Sequence, residues 1–138
     1  MNLDQCINFL LTGAQHKVFQ EIKKELEQYD LTPIQYGVLK CIWQLDLHTP
    51  KEIADYLSVE NSTISGILDR MEKKNLIERK IDRDDRRYVY IDLTKTGKEL
   101  EDPVNKTIED FNKAALSDFS DAEAETLRAL LKRLFMSE

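Results

Sequence analysis

Residues 51–97 constrain what this chain can fold into more than any other stretch. Apolar residues at Ile53, Ala54, Leu57, Val59, Ile64, Ile67 and Leu68 repeat at spacings that fit two short helices whose apolar faces meet across a tight corner. Thr49 can cap the first of them. Pro50 suits its first position, where a backbone N–H would have no partner anyway, and Glu52 stands third, the pattern of a capping box. The corner is Ser58-Val59-Glu60, with Val59 as the plug between the helices. The second helix, residues 61–74, turns Ile64, Ile67, Leu68 and Met71 inward and leaves Ser62, Thr63, Ser65, Gly66, Asp69, Arg70 and Lys73 on its outer face. Small hydroxyl side chains near its amino end, followed by cations a turn or two later, suit close approach first to base edges and then to phosphates of double-stranded DNA.

Directly after it come Leu76-Ile-Glu-Arg-Lys-Ile81, Asp82-Arg-Asp-Asp-Arg-Arg87 and Tyr88-Val-Tyr-Ile-Asp-Leu93. They read as strand, tip and strand: Ile77, Arg79 and Ile81 alternate, Val89, Ile91 and Leu93 alternate, and the charged block between them cannot be buried. A hairpin with an arginine-rich tip beside such a helix is a wing. The residues Thr63-Ile-Ser65, Asp69, Glu72-Lys-Lys-Asn-Leu-Ile-Glu-Arg79, Asp82 with Asp85-Arg86-Arg87, and Leu93-Thr94 followed by Gly97 resemble the MarR family of bacterial transcriptional regulators. With the helix pattern on either side, the resemblance covers essentially the whole chain. It implies that the second helix lies in the major groove and that Arg86 or Arg87 enters the minor groove. Asp69 and Asp85 are the candidate carboxylates to orient the Arg86 fork, since a free arginine loses more entropy on docking. Arg83 joins the same basic tip.

The net charge of −6 over 138 residues looks wrong for a DNA binder until its distribution is read. Residues 49–98 hold 11 Lys and Arg against 10 Asp and Glu, a net of +1, so the remainder carries −7. The acid is segregated into the flanks, and a local basic face on an acidic protein still binds phosphate. At 41% hydrophobic and 33% charged residues the composition is that of an ordinary globular domain. No apolar run approaches the roughly 20 residues a membrane span needs, and no signal-peptide pattern opens the chain. A cytoplasmic location is the expectation, and Cys6 and Cys41, too few for a disulfide framework, agree with a reducing compartment.

The flanks read as helices. Leu3, Ile7, Leu10, Leu11, Ala14, Val18, Phe19, Ile22 and Leu26 predict one long helix over residues 2–28, too long to be covered by a domain of this size and therefore leaning on a second subunit. Thr32-Pro33-Ile34-Gln35 starts the next with another capping box, Leu31 and Tyr36 being placed as a staple, and its core face is Val38, Leu39, Ile42 and Trp43. Thr94 begins a helix to about residue 116 that Pro103 should kink. Ser120-Asp-Ala-Glu123 caps a last helix expected to bury Leu127, Leu130, Leu131, Leu134 and Phe135. The fold class is mainly α: a winged helix-turn-helix at residues 32–98, with helices from 1–31 and 99–138 forming a dimerisation region in one intertwined domain. The resemblance implies the same arrangement, a homodimer that reads a pseudo-palindromic operator, as a repressor.

Enzymatic readings fail on inventory. His16 and His48 are the only histidines, the four glycines form no phosphate-binding loop, and no Ser, His and acid stand at a recognisable spacing. Two histidines and two distant cysteines do not supply a closed metal site, so no metal or other cofactor is expected. The resemblance implies a cleft between the helical region and the head that takes a small aromatic or anionic effector, and His16, Phe19, Tyr36, Lys40 and Trp43 fall in the helices that wall it. Redox sensing through Cys6 is the alternative within the family; against the frame Ile7-Asn8-Phe9-Leu10-Leu11, however, Asn8 occupies the sensing position, and Cys6, two residues earlier, points about 200° away around the helix. A winged helix used only for protein contacts is the second alternative, disfavoured because such a wing has no need of paired arginines.

Overall fold

Side-chain caps and left-handed corners divide the chain where the sequence marks them. The computed structural model describes residues 1–85 and 88–136. After a 3-10 turn at Leu3–Gln5 come α1 (Ile7–Leu26), a second 3-10 turn at Glu27–Tyr29, α2 (Pro33–Leu45), α3 (Pro50–Leu57), α4 (Asn61–Lys73), β1 (Ile77–Ile81), β2 (Val89–Leu93), α5 (Lys95–Glu99), α6 (Glu101–Ala115) and α7 (Asp121–Met136). Asp30, Asp46, Ser58 and Asn75 take positive φ, each just past a helical segment. Small polar residues tolerate that left-handed corner better than other non-glycine residues.

The box that starts α2 is closed as expected: Gln35 N donates to Thr32 Oγ1 and Thr32 N donates to Gln35 Oε1, both at 3.2 Å. At α3 the box stays half made. Glu52 N donates to Thr49 Oγ1 at 3.2 Å, but the Glu52 carboxylate accepts the Thr49 hydroxyl at 2.9 Å instead of the cap's backbone N–H. The box at Ser120 is complete, with Glu123 N on Ser120 Oγ at 3.1 Å and Ser120 N on Glu123 Oε1 at 2.9 Å.

Ile53 of α3, Ile64, Leu68 and Met71 of α4, and Ile77 and Ile91 of the hairpin are buried in one cluster with Val38 and Leu39 of α2. Val59 at the corner is half-buried against it. The hairpin is antiparallel with Ile77 opposite Leu93, Arg79 opposite Ile91 and Ile81 opposite Val89. Ile77 and Ile91 therefore fill the inner face, while Ile81, nearer the tip, is exposed. The same cluster extends to Leu26 of α1 and Val104 and Ile108 of α6, so the head and the inner ends of the outer helices share a core.

The outer helices depart from expectation at three places. The first does not run unbroken from residue 2 to 28: Gln5 Oε1 accepts Asn2 N at 3.0 Å, Cys6 is extended at φ −77°, ψ 119°, and α1 begins only after it. The helix after the wing is cut at Leu100, not at Pro103 itself. Proline lacks the N–H that would bond the carbonyl four residues earlier, and that carbonyl belongs to Glu99, where α5 stops. In α7, finally, Leu130, Leu131, Leu134 and Phe135 are exposed and Leu127 only half-buried. Leu3, Ile7, Phe9, Leu10, Leu11, Val18 and Phe19 of the amino-terminal helical segment are exposed as well. The apolar stripes are real, but this chain by itself does not cover them.

Gly97 is fixed by close approach. A Cβ added there would stand 2.3 Å from the Leu76 carbonyl oxygen, which already accepts Thr94 N at 3.1 Å, and the Gly97 carbonyl accepts Trp43 Nε1 at 3.0 Å. Gly97→Ala should lower unfolding stability by about 2 to 4 kcal/mol, since backbone and not a flexible side chain must give way. Chemical denaturation checks this, and an unchanged midpoint would contradict it.

Candidate nucleic-acid interface

A helix that buries Ile64, Ile67, Leu68 and Met71 must present the residues between them to solvent. Ser62, Thr63, Ser65, Asp69, Arg70 and Lys73 are exposed, and Gly66 is half-buried with nothing within 4 Å of where its Cβ would stand. The outer face of α4 is thus the face read from the sequence. The wing stands beside it. Its tip turns on Asp82, whose Oδ1 accepts Asp84 N at 2.8 Å and Asp85 N at 3.4 Å, and Arg83 and Asp85 are exposed there. Arg86 and Arg87, expected to carry the groove contact of the wing, lie outside the described residues.

Not every cation of the central segment remains available. Arg79 Nη2 is 2.5 Å from Asp69 Oδ1 and 3.1 Å from Glu72 Oε1, while Glu72 Oε2 accepts the Arg79 backbone N–H at 3.1 Å. Asp69, read as a partner for Arg86, here holds Arg79 and ties the outer face of α4 to β1. The Arg79 guanidinium and N–H beside Glu72 hold its carboxyl below the usual carboxylate range, and Glu72 in turn raises the guanidinium further. Lys74 is turned inward, donating to the Asp30 carbonyl at 2.7 Å and to Gln35 Oε1 at 3.0 Å. Lys80 pairs with Asp92 at 3.3 Å. Arg70, Lys73 and Arg83 are exposed.

Between α4 and the wing opens a cavity of about 540 Å³, walled by Lys51 at the amino end of α3, Asn61 and Ser65 of α4, Arg79 of β1, and Tyr88 and Val89. Lys51, Asn61 and Tyr88 join the residues singled out from the sequence in walling this groove. Their signal was available for Lys51 and Asn61, both polar residues in the first turn of a capped or corner-started helix. Tyr88 is placed only by the hairpin register.

The residues assigned to an effector cleft divide into two groups. Tyr36, Lys40 and Trp43 share one face of α2. Tyr36 is half-buried, which pushes its hydroxyl pKa up, Lys40 Nζ donates to Asn105 Oδ1 at 2.8 Å, and Trp43 reaches Gly97. His16 and Phe19 stand exposed on α1. Cys6 is half-buried at the start of α1 and Cys41 is buried. Among the described residues no His, Cys, Asp and Glu group has the makings of a metal site, and no helix is long and apolar enough to cross a membrane.

The MarR family model matches residues 31–89. The chain is 32% identical over 133 residues to the HTH-type transcriptional regulator PecS of Dickeya dadantii (strain 3937), covering 93% of this chain and 75% of that one. It is also 32% identical over 97 residues to the organic hydroperoxide resistance transcriptional regulator of Bacillus subtilis (strain 168), covering 70% of this chain and 66% of that one. Among solved structures it is similar to the S. aureus MepR–DNA complex, with a TM-score of 0.84, 29% identity, and 96% and 98% of the two chains covered.

The Arg79 cluster has a pH signature of definite sign. Glu72 is a carboxyl with a lowered folded pKa, so its contribution is present above the unfolded value of about 4.3 and is lost as pH falls through the lower folded value. Wild-type stability should therefore fall more steeply in that acid window than that of Glu72→Gln. Denaturation at a series of acid pH values measures it; parallel curves for the two proteins would show that Glu72 makes no such contribution.

Proposed function

We propose a function from one premise: the chain belongs to the MarR family and is a DNA-binding transcriptional regulator. On that premise, it acts as a homodimeric repressor of a pseudo-palindromic operator, and the observation that carries this reading is the outer face of α4. Ser62, Thr63, Ser65, Gly66, Arg70 and Lys73 meet the major groove, where hydroxyls and guanidinium reach base edges and the lysine reaches phosphate. Arg83, Arg86 and Arg87 of the wing meet the adjacent minor groove and its flanking phosphates, with Asp85 as the wing's own carboxylate and Asp69 setting the wing through Arg79. The second copy covers the exposed apolar faces of α1 and α7, so that 1–31 and 99–138 form the dimerisation region around a head at 32–98. A two-fold dimer of such heads presents half-sites about one helical turn apart. This is a cytoplasmic regulator with no catalytic step.

Selection of bound sequences from random duplex DNA, with a salt titration of the winners, tests the assignment. Thr63→Ala and Ser65→Ala should relax sequence choice, at about 1 to 3 kcal/mol per lost base contact. Arg86→Ala should weaken operator and unrelated DNA alike and reduce the salt slope by about one. Equal losses on operator and unrelated DNA for the α4 variants, in a protein that stays folded, would remove α4 from the reading role.

We further infer that a small aromatic or anionic effector releases the operator, bound in a cleft to which Tyr36, Lys40 and Trp43, with His16 and Phe19, contribute an aromatic lining and polar handles. A ligand shifts an equilibrium only by its difference in affinity for the two arrangements. It should therefore bind the DNA-free dimer more tightly than the DNA-bound one. Cys6→Ser should leave that response intact. Calorimetry on free and bound dimer decides between them, with equal affinities, or a peroxide response abolished by Cys6→Ser without any ligand response, going against this reading.

A further inference from the structure

β2 has an edge that β1 does not cover, and one residue closes it. Ile91 lies opposite Arg79 in the hairpin, but its backbone N–H donates to the His48 carbonyl at 2.7 Å. In an extended strand the carbonyl of the same residue lies on the same edge, and that carbonyl is 2.8 Å from His48 Nδ1. The imidazole thus does the work that a neighbouring strand's N–H would otherwise do. A carbonyl only accepts, so Nδ1 carries a proton. The other ring nitrogen, Nε2, is 2.6 Å from Asp46 Oδ1, and an ionised carboxylate only accepts too. A ring that satisfies both partners is the imidazolium. It is stacked on Tyr90 with centroids 4.6 Å apart and planes 6° from parallel, an arrangement in which an aromatic face favours a cation.

The surroundings agree. Burial by itself lowers the pKa of His48, but the Ile91 carbonyl and the Asp46 and Asp92 carboxylates outweigh it and leave the ring above its ordinary value. The charged groups that bear on the ring are Asp46 on the connector and Asp92 on β2. Lys80 from β1 and Lys98 from α5 act on Asp92, and Tyr90 supplies the stacked face. From Ile91 the strand runs back through Tyr90 to Val89 and Tyr88, which wall the groove beside Ser65 of α4. Slack at Ile91 is therefore passed within three residues to the surface between α4 and the wing.

We propose that His48 is a positioning residue for DNA binding, whose doubly protonated ring pins β2 to the connector between α2 and α3, so that its deprotonation loosens the wing and weakens operator binding. The proposal rests on the regulatory reading above. For a group with a raised folded pKa both ring bonds are present below the ordinary imidazole value of about 6.5, and as pH rises through the higher folded value the neutral ring keeps only one of its two donors, so the anchor is weakened.

The test combines an NMR titration of the His48 ring in the DNA-free protein with operator affinities from about pH 5.5 to 8.5 at constant ionic strength. Wild type should bind about threefold to tenfold more weakly once the ring has lost its proton, the loss expected for a charge-assisted anchor with one exposed partner. His48→Gln cannot titrate and should give a flat profile at the weak end. Asp46→Asn, a change at an exposed side chain that leaves the fold intact, should move the ring's midpoint and the binding midpoint downward together. A flat wild-type binding profile across the ring's own titration overturns the proposal, as does a His48→Gln profile that keeps the wild-type slope. Should His48→Gln fold poorly, the Asp46→Asn pair of midpoints decides: a ring midpoint that moves without the binding midpoint also overturns it. Absence of duplex binding at every pH would instead bring down the regulatory reading itself.

Discussion

The structure depends on one constraint, that a thirteen-residue helix must be held rigid by one face while the other is left exposed. Burial of Ile64, Ile67, Leu68 and Met71 meets it, each such side chain stabilising the fold by about 1.5 to 3 kcal/mol. α2 and α3 close over that face on one side and Ile77 and Ile91 of the hairpin on the other. The wing is consequently not an appendage. Its inner residues belong to the core that holds α4, and its position relative to α4 is fixed again from outside by Arg79 between Asp69 and Glu72.

That double attachment explains how the charges are allocated. A central segment of nearly balanced charge could offer little to phosphate if every cation were paired, or be poorly anchored if none were. Arg79, Lys74 and Lys80 are engaged with carboxylates or carbonyls, whereas Arg70, Lys73 and Arg83 are exposed. The engaged cations sit where elements must be joined: α4 to β1, α4 to the start of α2, and β1 to β2. Surface ion pairs contribute little to stability individually, but a pair between separate elements fixes an angle, and on the proposed reading, in which α4 and the wing enter two grooves at once, the angle matters more than the energy.

The elements legible in the sequence were those governed by local chemistry. Thr32 with Gln35, Ser120 with Glu123, and the corner at Ser58 declare themselves within four residues, and the inward set of α4 follows from helical spacing alone. What escaped was set by distance along the chain or by a second chain. The charge count over residues 49–98 takes in Arg79, Lys74 and Lys80 with the exposed cations, because it cannot see that Lys74 reaches Asp30 and Gln35 across about forty positions. His48 carries no signal in the sequence for the same reason, its partner carbonyl being 43 residues on. The broad stripe of α7 was expected in the core because periodicity shows which side chains share a face, not what covers that face. The cut at Leu100 was displaced from Pro103 because the lesion a proline makes lies at the carbonyl four residues upstream.

The uneven burial along the outer helices bears on how such a molecule can respond. Leu26 at the end of α1 and Val104 in α6 are fully buried in the head's core, and Tyr29 bridges the two by its hydroxyl on the Pro103 carbonyl at 3.1 Å and Thr107 Oγ1 at 2.6 Å. Close-packed interiors transmit displacement instead of absorbing it, so these inner ends must move with the head. The ends of α1 and α7 carry exposed apolar side chains, which the second copy would cover in the proposed dimer. In that proposed dimer, a change in how the two copies meet would turn each head as a unit, and the turn would reach α4 through Lys74, whose ammonium holds the Asp30 carbonyl at the very corner where the amino-terminal helical segment gives way to α2. The recognition face need not itself deform: it is enough that two rigid heads change their separation, because a two-fold operator fixes the spacing at which both can dock.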